Sequence, residues 1–130
     1  MLLNVERNSF KLKQKFTISR GSRDSAEVLT VSIRDGDFIG LGECVPYKRY
    51  GETIKSVSNE ILSISLPVNN QILQKVLKPG AARNALDCAL WDLEAKKEGK
   101  PVWQLLNLKE PKPTTTAYTI SLSNPAKMMQ

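Results

Sequence analysis

No histidine occurs among the 130 residues, and the only two cysteines, Cys44 and Cys88, lie far apart and outside any Cys-x-x-Cys pair. Zinc ligation and a thioredoxin-like redox motif are therefore not indicated, and no imidazole is present to activate either thiol as a nucleophile. Both cysteines read as small buried hydrophobes of a reduced, cytoplasmic protein. Aromatic residues make up only 6%, and the lysines are scattered singly rather than massed in one block, so nucleic-acid binding is not expected. No uninterrupted apolar run approaches the length of a membrane span, and Met1 to Lys11 lack the apolar stretch of a signal peptide. A soluble, unexported protein that does not engage a membrane is expected.

Against these absences stand 41% hydrophobic residues, enough for one buried core, and a net charge of +6 from 19 basic and 13 acidic residues. That excess suits an anionic ligand or simply solubility. From Phe10 to Ile18 the even positions Phe10, Leu12, Gln14, Phe16 and Ile18 alternate with Lys11, Lys13, Lys15 and Thr17, which predicts a half-buried strand with a charged outer face. A second strand is predicted over 28–33, with Leu29, Val31 and Ile33 on one face, and a third over 38–45. Asp35-Gly36 between them is a hairpin signal, because glycine accepts the positive φ of a tight turn. That turn also accounts for Asp35-Gly36-Asp37 without a metal.

The period then changes. Thr53 is a candidate N-cap ahead of Ile54, Val57, Ile61, Leu62 and Ile64 at helical spacing, closed by Pro67. A short helix is predicted over 71–77, a longer one from Ala81 to about Lys97 ending at Gly99, and a brief one after Pro101 carrying Val102, Trp103, Leu105 and Leu106. In the long helix Ala82, Ala85, Leu86, Ala89 and Leu93 form one apolar stripe, with Trp91 nearly opposite, so cover on two faces is expected. Asp92 lies beside the stripe and needs a partner, either Arg83 or a backbone amide. Pro111-Lys112-Pro113 reads as a linker, Thr114 to Leu122 as a β-branched strand, and Ser123-Asn124-Pro125 as the start of another helix. Strands first and helices afterwards give an α+β layer, and a strand followed at once by a helix reads as the opening of a β/α repeat.

Three segments carry a resemblance: the Ser19-Arg20-Gly21-Ser22-Arg23 loop with Phe16 to Ile18 before it, the run from Gly40 through Glu43-Cys44-Val45-Pro46-Tyr47-Lys48-Arg49-Tyr50-Gly51-Glu52, and the helix opening from Pro79 to Leu93. They resemble the N-terminal capping domain of L-Ala-D/L-Glu dipeptide epimerases, in the mandelate racemase and muconate lactonizing branch of the enolase superfamily. The helix segment marks the branch; the two loops are narrower and point to the dipeptide epimerases. The resemblance implies a capping domain over 1–110, with a three-stranded antiparallel sheet followed by a helical bundle. Residues 111–130 would then be a linker, the first strand of a TIM-like barrel and the start of the next helix, with the C-terminal barrel domain missing.

In that family the cap closes over the open end of the barrel and its loops shape the substrate pocket. The resemblance places Arg23 near the carboxylate of a dipeptide substrate, a role suited to a bidentate guanidinium, and Thr119 in contact with substrate. Arg20, Tyr47, Arg49 and Tyr50 are weaker candidates for pocket lining. Read from the residues alone, Arg20 and Arg23 flank a glycine in a polar loop and are equally compatible with a solvated turn. Epimerisation removes an α-proton on one face and returns one on the other through a stabilised enolate. The resemblance assigns this to two barrel lysines and to Mg²⁺ held by three acidic barrel residues. No catalytic or metal-binding residue is therefore expected in this chain, which on its own would be no isomerase. Reaction identity stays open to another branch member, such as a muconate cycloisomerase or o-succinylbenzoate synthase, or to a stand-alone module gripping small anions through Arg20 and Arg23. A homo-oligomer of the complete enzyme is left open as well.

Overall fold

In a computed structural model of the chain the described residues are 1–129, Lys127 by its backbone alone. Strands β1 (Leu2–Ile18), β2 (Gly21–Asp35) and β3 (Phe38–Cys44) form one sheet in the order β1-β2-β3. The β2–β3 pairing is antiparallel and in register from Leu29 opposite Cys44 to Asp35 opposite Phe38. That register leaves Gly36-Asp37 as a two-residue turn. Gly36 takes φ of 60° at its first position, the left-handed conformation that an L side chain adopts only under strain.

By its contacts the chain divides into two units. One holds Met1–Asn8 and Val28–Pro111; the other holds Ser9–Glu27 and the segment from Lys112 onward. The first contains the core. Leu29, Val31 and Ile33 line one face of β2, as their alternation requires, and meet Val57 and Ile61, Leu73, and the stripe Ala82, Ala85, Leu86, Ala89, Leu90 and Leu93. These come from α1 (Ile54–Leu62), α2 (Asn70–Val76) and α3 (Ala81–Glu98). A short α4 (Val102–Leu105) follows, and Trp91 and Trp103 are half-buried. No helix among the described residues is long and apolar enough to cross a membrane.

Local chemistry sets the helix ends. The Thr53 hydroxyl accepts the Ser56 N–H at 3.0 Å while the Ser56 hydroxyl accepts the Thr53 N–H at 2.9 Å, a reciprocal cap that starts α1. Asn69 caps α2 by accepting the Ile72 N–H at 2.8 Å. Gly99, with φ of 63°, ends α3.

Two glycines allow α3 to lie directly on β3. A Cβ on Gly40 would sit 2.0 Å from the Ala89 carbonyl oxygen, and one on Gly42 would sit 2.0 Å from that of Ala85. Side chains of α3 then satisfy backbone groups of β3. Asp92 accepts the Leu41 N–H at 2.7 Å, Lys96 donates to the Ile39 carbonyl at 2.8 Å and to Asp92 at 2.6 Å, and Asn84 donates to the Glu43 carbonyl at 3.4 Å. The acidic residue beside the apolar stripe thus finds a backbone amide, while Arg83 donates instead to the Leu77 carbonyl at 3.4 Å. Asp92 and Lys96 blunt an edge strand that would otherwise invite pairing with another chain.

Several expectations need correction. The hairpin is longer than its apolar pattern: β1 begins at Leu2 and β2 at Gly21, because backbone ladder bonds need no apolar side chains. Phe10 and Leu62 are exposed, at 55% and 57%. Phe10 lies on a paired arm with neighbours across the ladder but no second layer, and Leu62 is the last residue of α1. Cys88 is exposed on α3, whereas Cys44 is buried as expected. Thr114 to Leu122 forms no strand, although a turn of helix, α5 (Pro125–Met128), does begin at the expected proline. Among the described residues the sheet holds β1, β2 and β3 only, and the segment meets β1 through one backbone hydrogen bond, from the Leu122 N–H to the Thr17 carbonyl, too few to make a ladder.

Candidate functional site

The predicted site residues fall in both units. In the second, β1 and β2 turn through Ser19-Arg20, with Gly21 opening β2, and both arginines are exposed. The Arg23 guanidinium lies over the Phe16 ring, 5.5 Å from its centroid, a cation–π contact across the hairpin. The hydroxyls of Thr17 and Ser22 hydrogen-bond at 2.8 Å, and the Ser9 and Glu27 side chains pair further down the arm. Arg23 is therefore held on an apolar platform with its outer side open to solvent.

The segment carrying Thr119 belongs to the same unit. The Ser121 hydroxyl accepts the Thr17 N–H at 2.9 Å, and the Leu122 N–H donates to the Thr17 carbonyl at 2.8 Å. One cleft of about 680 Å³ lies in the first unit and one of about 610 Å³ in the second. Gln14, Thr17, Tyr118, Ile120, Ser121 and Met128 line the second cleft. Its wall thus includes the residues on either side of Thr119, whereas Arg20, Arg23 and Thr119 do not line it.

In the first unit Tyr47, Arg49 and Tyr50 sit on a single 3₁₀ turn, Lys48–Tyr50, closed by Gly51 with φ of 74°. All three are exposed, and the two tyrosine rings stand 5.7 Å apart at a tilt of 53°. The Tyr50 N–H donates to the Tyr47 carbonyl at 2.9 Å and the Gly51 N–H to that of Lys48 at 3.0 Å. The wide cleft beside them is walled by Cys44, Tyr47, Tyr50, Glu52, Lys78 and Asn84, among others. Burial pushes the Cys44 thiol up to about 11, with Glu52 and Glu43 adding to the rise, so it is a packed hydrophobe rather than a nucleophile.

Sequence reasoning missed two residues here. In the sequence Glu52 stands only at the end of a motif, yet its carboxylate accepts the Ala81 N–H at 2.8 Å and the Tyr47 N–H at 3.1 Å. Its signal was present: α3 follows Pro79-Gly80 with no Ser, Thr, Asp or Asn to cap it, so an acceptor had to come from elsewhere. Alternation alone puts Phe16 on the apolar face of its strand, and its place under Arg23 depends on a hairpin register that composition does not reveal. Among the described residues no three His, Cys, Asp or Glu side chains converge, so those present do not fit a metal centre.

Comparison with known proteins places this geometry. L-Ala-D/L-Glu epimerase of Escherichia coli (strain K12) is 39% identical over 130 residues, 97% of this chain and 40% of its own length. A solved enolase family member from Agrobacterium tumefaciens with homology to dipeptide epimerases, holding sodium and L-Ala-L-Glu with an ordered loop, is 51% identical. Its TM-score is 0.89 over 97% of this chain and 40% of that one. The dipeptide epimerase of Cytophaga hutchinsonii, solved with Mg and D-Ala-L-Val, is 28% identical with a TM-score of 0.78, covering 97% of this chain and 38% of its own. The chain thus spans about two fifths of the length of the relatives it matches. The family model for the mandelate racemase/muconate lactonizing enzyme N-terminal domain matches residues 3–107, and the chain belongs to that family.

Proposed function

We propose that this chain is the N-terminal, substrate-capping part of a cytoplasmic, Mg²⁺-dependent dipeptide epimerase of the L-Ala-D/L-Glu type. Residues 1–110 form the cap, and residues 111–130 are the linker and opening β/α unit of the barrel. The observation that carries the reading is the likeness, across nearly the whole chain, to the Agrobacterium tumefaciens protein whose solved structure holds L-Ala-L-Glu. The same reading accounts for the irregular run 114–122, a barrel strand whose parallel neighbours lie in the rest of the enzyme.

The chain's own residues then bind and enclose the substrate rather than move its proton. Arg23, propped on Phe16 with its outer side open, takes a dipeptide carboxylate through paired N–H donors. Thr119 contributes a contact from the barrel side, and Arg20, Tyr47, Arg49 and Tyr50 are weaker candidates for contact with substrate. In this reading the lysine bases and metal ligands belong to the barrel.

The kinetic test is Arg23→Ala in the complete enzyme, with Lys13→Ala as the control from the same hairpin. Loss of a charge-assisted contact to carboxylate should raise KM for L-Ala-L-Glu by roughly tenfold to a hundredfold, with Lys13→Ala near the parent value. Equal effects of the two substitutions would remove Arg23 from the pocket.

A further inference from the structure

We infer that Glu52 is a positioning residue which clamps the Tyr47–Gly51 turn to the first residue of α3 and so fixes Tyr47 and Tyr50 where substrate meets the cap. The inference rests on the function proposed above and adds to it a residue that need not touch substrate.

The geometry is a two-sided clasp. One carboxylate oxygen of Glu52 accepts the Ala81 N–H at 2.8 Å and the other accepts the Tyr47 N–H at 3.1 Å. Its backbone N–H also donates to the Tyr47 carbonyl at 3.4 Å, so both backbone polar groups of Tyr47 end on Glu52. The Ala81 amide is one of the donors that every helix leaves unpaired at its start, and Gly80 brings no side chain to cap it. A carboxylate there is favoured twice, by the charge-assisted hydrogen bond and by the positive end of an 18-residue helix. Gly80 makes room for it: a Cβ at that position would lie 3.0 Å from the carboxylate oxygen.

The far side of the clasp carries the consequence. The turn is a single 3₁₀ loop with no buried side chain, so little apolar packing fixes its orientation. Tyr47 is 44% and Tyr50 75% exposed. The link to α3 ties this open turn to a helix whose stripe is wholly buried, and so transfers the rigidity of the core to two exposed rings. Glutamine in place of Glu52 would keep the volume but offer one acceptor and an NH₂ group to two N–H donors, so one arm of the clasp must open.

The test uses the complete enzyme as parent, Glu52→Gln and Glu52→Ala, with KM and kcat measured on L-Ala-L-Glu and backbone amide exchange followed by mass spectrometry. Glu52→Gln should raise KM by roughly tenfold with kcat within about threefold, and Glu52→Ala should do so more strongly. Amides of the 47–52 turn and of the start of α3 should exchange at least about tenfold faster, and those of Leu86 to Leu93 at the parent rate. Unchanged KM in an active Glu52→Gln enzyme overturns the inference. So does faster exchange throughout Leu86 to Leu93, which would make Glu52 a general stabiliser. A parent enzyme inert toward the dipeptide overturns the proposed function instead, and exchange in the 47–52 turn then supports or refutes the clasp by itself.

Discussion

Replacing Gly42 by alanine adds one methyl group at one of the two glycines that let α3 lie directly on β3. The new Cβ would lie 2.0 Å from the Ala85 carbonyl oxygen, 2.9 Å from the Ala89 nitrogen and 3.0 Å from the Ala85 carbonyl carbon. All three are backbone atoms, so no rotamer change relieves the clash. Ordinary contact begins near 3.4 Å, and the helix must therefore back away from the strand by an ångström or more. A gap of about 0.5–1 Å already forfeits a quarter to a half of each dispersion contact, here along Ala82, Ala85, Leu86 and Ala89. The same retreat stretches the Asp92–Leu41 and Lys96–Ile39 bonds that close the edge of β3. Overpacking costs about 1–3 kcal/mol and occasionally more, and each lost hydrogen bond about 1 kcal/mol, so the expected loss is about 3–5 kcal/mol. That is a large part of the ~5–15 kcal/mol stability of an ordinary domain. Trp91 and Trp103 report on this unit, so urea unfolding can be followed by tryptophan fluorescence, with the midpoint expected to fall by about 2 M. Gly36→Ala is the control. It strains a φ of 60° but meets nothing within 4 Å, and should cost only about 1 kcal/mol. A Gly42→Ala midpoint no lower than that of Gly36→Ala would refute the close-packing argument.

Two further outcomes follow from polar contacts of α3. Asp92→Ala leaves the Leu41 N–H without its acceptor and should lower stability by about 1–2 kcal/mol and raise self-association, read by urea unfolding and static light scattering. Asp92→Asn, which keeps one acceptor oxygen, should lie between; an alanine variant matching the parent would show that the edge needs no guard. Lys97, 2.6 Å from Asp35, holds that carboxyl below the usual carboxylate range by hydrogen bond and charge, and its own ammonium is pushed up by the same contact. The depressed carboxyl contributes stability that is complete above about pH 4 and is lost as pH falls through its folded value. The raised ammonium contributes stability that is complete below about pH 10 and is lost as pH rises through its folded value. Lys97→Met should flatten both flanks of a Tm-against-pH curve, and unchanged flanks would show that solvent screens the pair to nothing.

Local chemistry was legible in the sequence wherever one residue type has one physical use. Gly36, Thr53, Gly99 and the stripe from Ala82 to Leu93 each sit where their chemistry put them. The pattern failed where structure does not depend on burial. Residues 19–27 are polar and show no alternation, yet seven of them lie in β2, because the ladder is made of backbone. Leu62 and Cys88 have the composition of core residues but occupy the exposed side of their helices. Thr114 to Leu122 has strand-like residues but forms no strand. The candidate site was legible in part, through the resemblance of its two loops. Glu52 was not, because the amides it joins lie 5 and 29 residues away and no local rule pairs them.

The proposed role, a cap on a dipeptide epimerase that does not itself move a proton, is tested most directly by incubating L-Ala-L-Glu in D₂O with the chain alone and with the complete enzyme plus Mg²⁺, and following the α-proton signals by NMR. The expected result is loss of one α-proton signal, that of the glutamate residue, with the complete enzyme and no loss with the chain alone. Deuterium incorporation by the chain alone, or none by the complete enzyme, would contradict the account.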